Sequence, residues 1–140
     1  MEISKYSYFN QFKCIVFDFD GVIIDSVMAK GKCLYEIFSI KSKSIQNQVI
    51  EHHLDNPSKN RQDKIRFIAN VILNLNLEED QCIKYIEKFD TMYLSRVPEL
   101  NVIMGIHDFL EFTSQYSNVY INSAARKHEI EKILIENISK

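Results

Sequence analysis

At 140 residues, with 46% hydrophobic and 26% charged side chains, the chain has the size and composition of one ordinary globular domain and lies far from the disordered class. Seventeen lysines and arginines stand against 19 acidic residues, and a net charge of −2 gives no field that would draw nucleic acid or an anionic membrane, so any anion recognition must be local. The opening MEISKYSYFNQF lacks the apolar run of a signal peptide, no segment approaches bilayer length, and the cysteines Cys14, Cys33 and Cys82 form no CxxC pair; together these predict a cytoplasmic protein with reduced core thiols.

Only three glycines and two prolines occur, so regular structure, mostly helix, should fill the chain. Cys14-Ile15-Val16-Phe17 is short, apolar and bounded by polar residues, which predicts a strand buried on both faces. Leu34, Ile37 and Phe38 mark a helical face, and residues 39–44 read as a polar loop after it. Ile65, Ile68, Ala69, Ile72 and Leu73 keep helical spacing, as do Cys82, Ile86, Phe89 and Tyr93. Pro98 and Met104-Gly105 interrupt the pattern before Ile106, Phe109, Leu110 and Thr113 begin another helix. Val119-Tyr120-Ile121 predicts a second strand, and Ile130, Ile133, Leu134 and Ile138 a last helix. This order implies an α/β layer built from both ends of the chain, with an all-helical insertion above the carboxyl end of the first strand, where open α/β sheets hold ligands.

At that carboxyl end stands DFDGVIIDS, Asp18 to Ser26. Residues i and i+2 of an extended segment point the same way, so Asp18 and Asp20 can converge on one point. Two such charges repel unless a cation lies between them or one is protonated. Oxygen ligands suit magnesium, which commonly binds one or two carboxylates together with substrate phosphate and water. Gly21 would let the chain turn, and Val22-Ile23-Ile24 would pack back into the core. Enzymatic phosphate-ester hydrolysis requires accelerations of up to ~10²¹-fold, whereas one positioned acid or base supplies only ~10² to 10⁴. A metal, an in-line nucleophile and fixed donors must therefore share the task. A lone DxD is more often a loop or a helix cap. The EF-hand alternative fails, because the twelfth position counted from Asp18 is Ala29 and a strand, not a helix, precedes the motif.

The stretch CIVFDFDGVIIDS resembles the first motif of the haloacid dehalogenase-like (HAD) hydrolases. The resemblance implies that Asp18 is nucleophile and Mg2+ ligand, and that Asp20 is general acid/base and lends its carbonyl to the metal. The extension through Asp25 and Ser26 resembles the phosphoglycolate phosphatase-like and β-phosphoglucomutase-like subgroup, whose helical cap follows the first motif directly. The implied fold is α/β, an incomplete HAD-like Rossmannoid core with an inserted all-helical cap: residues 1–27 core, 28–97 cap, 98–140 core. VYINSAARKHEIEKIL resembles the second motif, which implies that Ser123 binds the transferring phosphoryl oxygen. Backbone N–H groups near Ala124 and Ala125, at a helix N-terminus, would add donors; the bland alternative is that Ser123 only caps the helix. DNPSKNRQDKIRF is similar to a cap-domain sequence in which Arg61 and Lys64, on one helix face, clamp the anionic end of the substrate; the alternative is a solvated basic face with Lys59 and Arg66. His52-His53 diverge around a helix and lack partners at metal-ligand spacing, while His107 and His128 are expected at the surface or at helix ends. Phe109 and Phe112 are expected to pack rather than hold a cofactor.

Members of the family continue to a lysine and an acidic pair, and neither can be placed before Lys140; Lys127, in the helix after Ser123, is not assigned that role. Two strands also leave unpaired edges. The expectation is therefore the N-terminal part of a longer protein, or a shortened relative that uses another chain. The implied activity is magnesium-dependent hydrolysis of a small phosphorylated metabolite through an aspartyl-phosphate, with the 140-residue chain alone holding metal and phosphate weakly. The alternatives are a phosphomutase, which returns the phosphoryl group to its sugar, and a non-catalytic remnant whose sheet edge binds a partner.

Overall fold

A computed structural model describes Phe9 and residues 11–138. Its elements in order are β1 (Cys14–Phe17), α1 (Val27–Glu36), α2 (Lys43–Asp55), α3 (Arg61–Phe67), α4 (Glu79–Arg96), α5 (Ile106–Ser114), β2 (Asn118–Ile121) and α6 (Lys127–Ile133). They form two compact units. Of the described residues, one combines those up to Asp25 with those from Leu100 onward, and the other is Ser26–Glu99.

The first unit is α/β. β1 and β2 pair in parallel, Cys14 with Asn118 through to Phe17 with Ile121. The ladder runs on at both ends, where Asn118 N–H donates to the Lys13 carbonyl (3.1 Å) and Asn122 N–H to that of Phe17 (2.9 Å). Ile15, Phe17, Val119 and Ile121 share one face, and on it Phe109 of α5 meets Phe17 edge-on with ring centres 5.7 Å apart. Cys14, Val16, Asn118 and Tyr120 share the other and are exposed. This corrects two expectations: β1 is not buried on both faces, and Cys14 is not a core thiol. The residue pattern of β1 suits a doubly covered strand, but the described residues pack α5 against only one side.

The second unit is helical. α1 buries Cys33 and Leu34, with Ile37 buried just past its end, and packs against α2 and α4. Gly31 is what lets α2 approach, since a Cβ there would lie 2.8 Å from Ile50 Cδ1 and 3.2 Å from His53 Cδ2. The polar run 39–44 is only partly loop, because α2 already begins at Lys43, with Ser42 as its extended N-cap. α3 is capped by Asn60, whose side chain accepts from Asp63 N–H (2.9 Å). It continues as a π-helical turn over Ile68–Ile72 and stops near Asn74, at φ +53. α4 starts with Glu78 and Gln81 capping each other, and buries Cys82, Phe89 and Tyr93 on one face. Arg61 pairs with Asp90 between α3 and α4, and Arg96 with Glu36 between α4 and α1. Burial pushes the Cys33 and Cys82 thiols up, keeping them protonated, as expected of core cysteines.

A buried polar contact joins α1, α2 and α3. His53 Nε2 donates to the Val27 carbonyl (3.0 Å), so its Nδ1 is left to accept from the Lys64 ammonium (3.1 Å). Next to it, His52 stacks on Phe67 with ring centres 3.7 Å apart. Burial, then the charges of Lys59 and Lys64, hold the His52 pKa below its ordinary value.

Two outcomes are expected. Gly31→Val forces its side chain into Ile50 and His53 and destabilises the helical unit by about 1–3 kcal/mol in urea unfolding. Because the folded chain resists protonating His52 while the unfolded chain does not, stability is lost as pH falls below about 6.5. Unfolding midpoints measured across that range show a shallower pH slope in His52→Gln.

Candidate active site

Beyond β1 burial alternates. Phe17 is 7% and Phe19 0% exposed, whereas Asp18 is exposed and Asp20 half-buried. The two phenylalanines thus anchor the strand end in the core and turn the aspartates to the opposite side. Asp18 Oδ1 accepts from Phe19 N–H (2.7 Å), which orients the carboxylate. The Phe19 carbonyl in turn accepts from Ile23 N–H (2.9 Å) and Ile24 N–H (3.2 Å), while Gly21 N–H donates to the Ile24 carbonyl (2.8 Å). The chain after Asp20 is wound into a single tight turn, and Gly21 sits in it at φ +77, where a side chain would be strained. Ile23 and Ile24 close the turn into the core, and Val22 stays 39% exposed. Asp25 N–H then donates to the Asn101 carbonyl (2.9 Å), and Ile103 N–H to that of Ile23 (3.0 Å). This two-bond clasp ties the segment carrying Asp20 to the segment returning at Leu100.

Ser123 follows β2 by two residues. Because the strands run parallel and Asn122 N–H bonds the Phe17 carbonyl, Asp18 and Ser123 leave the sheet at the same end. Neighbouring strands lie about 4.8 Å apart. Ser123 is half-buried, and its Oγ accepts from Ala125 N–H (3.0 Å). α6 begins only at Lys127 with Arg126 at its cap, so Ala124 and Ala125 lie in the preceding turn and not, as expected, at the helix start. Ser123 therefore caps that turn and not the helix. The sequence reading passed over Glu129, a residue of α6 that is 0% exposed. Its spacing of four from the buried Ile133 was the available signal.

Arg61 and Lys64 belong to the helical unit. The Arg61 guanidinium pairs with Asp90 and lies 4.4 Å from the centre of the Phe89 ring. Lys64 is only 6% exposed, with its ammonium on His53 Nδ1 and 3.5 Å from the His53 carbonyl. A solvated basic face therefore does not describe Lys64. Of its other members, Arg66 pairs with Glu79, and the Lys59 ammonium lies over the Phe67 ring at 5.8 Å. His107 and His128 are exposed, and His107 Nε2 donates to the Ile138 carbonyl (3.0 Å).

Among the described residues, no three His, Cys, Asp or Glu side chains come together as a metal-binding group. Among the described residues, Asp18 and Asp20 bring two carboxylates to the segment that follows β1. Such an oxygen set fits Mg2+, which takes few protein carboxylates and fills its octahedron with phosphate oxygens and water. No helix among the described residues is long and apolar enough to cross a membrane.

No protein-family model matches the sequence, and no curated protein does. Solved structures match the fold. A protein assigned as a phosphoglycolate phosphatase from Lactobacillus plantarum superposes with a TM-score of 0.63 at 13% identity, over 88% of this chain and 55% of that one. A haloacid dehalogenase-like family hydrolase from Streptococcus pneumoniae gives 0.61 at 15% identity, over 89% and 55%. A HAD hydrolase of family IA, variant 3, from Entamoeba histolytica HM-1:IMSS gives 0.62 at 13%, over 90% and 55%. The chain spans about half the length of these structures. With its parallel β1–β2 pair and the helical unit inserted between the strands, it has the HAD-like α/β fold.

Proposed function

We propose that the chain carries the nucleophile-bearing part of a magnesium-dependent phosphomonoesterase that acts on a small phosphorylated metabolite. The observation that carries this reading is the parallel register of β1 and β2, which delivers Asp18, Asp20 and Ser123 to one end of the sheet. The names of the structural relatives, hydrolases and a phosphatase, agree with it.

In this mechanism Asp18 attacks the phosphorus in line with the ester oxygen. Its Oδ1 is held by Phe19 N–H, so Oδ2 supplies the electron pair. The P–O ester bond breaks as Asp20 gives its proton to the departing alcohol, leaving an aspartyl-phosphate on Asp18. Asp20, now a carboxylate, takes a proton from water as the water oxygen attacks phosphorus; the acyl-phosphate P–O bond breaks and inorganic phosphate leaves. Ser123 Oγ–H and the Ala124 N–H hold the phosphoryl oxygens through both transfers. Mg2+, held by Asp18 and the Asp20 carbonyl, would neutralise charge on the phosphoryl oxygens. Arg61 and Lys64 stand outside this mechanism, since both engage partners within the helical unit.

Acetyl phosphate with Mg2+ is expected to leave a hydroxylamine-labile phosphoryl adduct on the Asp18 peptide, detected by mass spectrometry. The adduct disappears in Asp18→Asn and on chelation of Mg2+. Asp20→Asn lowers release of inorganic phosphate by ~10²- to 10⁴-fold, in keeping with the loss of a general acid/base. Equal labelling of the wild type and Asp18→Asn would overturn the assignment.

A further inference from the structure

Two polar contacts of the α/β unit have no part in the mechanism above. α6 continues as a π-helical turn over Leu134–Ile138. From that turn Asn137 Nδ2 donates to the Leu100 carbonyl (2.8 Å), and the Ile138 carbonyl accepts from His107 Nε2 (3.0 Å). An asparagine side chain ordinarily bonds its own or neighbouring backbone. That of Asn137 instead spans 37 positions, to the segment that returns beside the turn after Asp20. From Leu100 the contacts run on, residue by residue, to Asp20. The Asn101 carbonyl accepts from Asp25 N–H, Val102 bridges Ile24 antiparallel, and Ile103 N–H donates to the Ile23 carbonyl. The Ile24 carbonyl then accepts from Gly21 N–H (2.8 Å). Gly21 N–H and the Asp20 carbonyl belong to one trans peptide and point opposite ways, so this last bond turns the Asp20 carbonyl away from Ile24.

We propose that Asn137 is a positioning residue of the candidate active site, which holds the return segment 100–103 and through it the peptide that joins Asp20 to Gly21. Asn137 touches no reacting atom and acts through Leu100 and Ile24. Its place in the fold gives the contact a second consequence. α6 is the helix that follows the Ser123 turn, so Asn137 joins the two segments that carry the reacting groups, the Ser123 turn through α6 and the Asp20 turn through Leu100. The His107 bond to Ile138 fastens the same π-helical turn to α5. A displaced Asp20 matters most for proton transfer, where hydrogen-bond reach decides the rate. The proposal deepens the phosphatase reading and rests on it for this chemical consequence, whereas the bracing itself rests on the hydrogen bonds alone.

Amide hydrogen exchange, followed by NMR on the 140-residue chain, tests the bracing. Asn137→Asp keeps the side-chain shape and removes the donor, and Asn137→Ala removes both. In each variant exchange at Gly21, Asp25 and Ile103 is expected to speed up roughly 5- to 10-fold, as for the loss of one hydrogen bond, while Asn118 and Asn122 in the β1–β2 ladder keep their wild-type rates. The aspartyl-phosphate left on Asp18 by acetyl phosphate is expected to hydrolyse ~10-fold or more slowly in the same variants, because the Asp20 base is displaced. Unchanged exchange at Gly21, Asp25 and Ile103 would overturn the proposal. So would an acceleration shared equally by Asn118 and Asn122, which makes Asn137 a general stabiliser, or a loosened turn with an unaltered adduct lifetime. A wild type that forms no adduct counts against the phosphatase reading, and the exchange rates then decide the role of Asn137.

Discussion

The parallel pairing of β1 with β2 is the constraint on which the rest of the α/β unit depends. It joins residues about a hundred positions apart, and its last bond, Asn122 N–H to the Phe17 carbonyl, lies one residue before Asp18. A few ladder bonds at about 1 kcal/mol each could not by themselves hold so distant a closure. The apolar anchors do most of it: Phe17 and Phe19 from the strand, Phe109 from α5, and Ile23 and Ile24 from the following turn. The phenylalanines at 17 and 19 are thus also what turns the aspartates at 18 and 20 toward solvent.

The long insertion between the two strands imposes little strain on that arrangement. Loop-closure entropy grows only slowly with length. The departing and returning segments are moreover fastened to each other by the bonds of Asp25 with Asn101 and of Ile103 with Ile23. The same bonds brace the turn after Asp20, whose tight geometry, with Gly21 at φ +77, sets where that carboxyl stands.

Inside the helical unit the organising contact is polar. Lys64 is almost wholly buried, a position that is costly for an ammonium unless acceptors meet it. His53 meets it with Nδ1, and can do so only because Nε2–H is committed to the Val27 carbonyl. One imidazole therefore links three helices, and the absence of a side chain at Gly31 leaves room for it.

Local features were legible in the sequence. β1 and the helix starting at Ile106 follow from apolar runs and spacing, because period and turn chemistry act on neighbouring residues. The alternation of phenylalanine and aspartate from 17 to 20 and the glycine at the turn likewise record their own geometry. What residue order does not encode is which element covers which face. Cys14 and Val16 look like doubly buried strand residues, yet α5 covers only the opposite side. The 43–44 stretch looks like loop, yet helix α2 already includes it, because its packing against α1 outweighs weak local preference. Lys64 looks like a surface charge until the fold sets His53, eleven positions earlier, against it. That Asp18 and Ser123 leave the sheet at one end is likewise a product of parallel pairing, a non-local choice made by burial and hydrogen bonding across the whole unit.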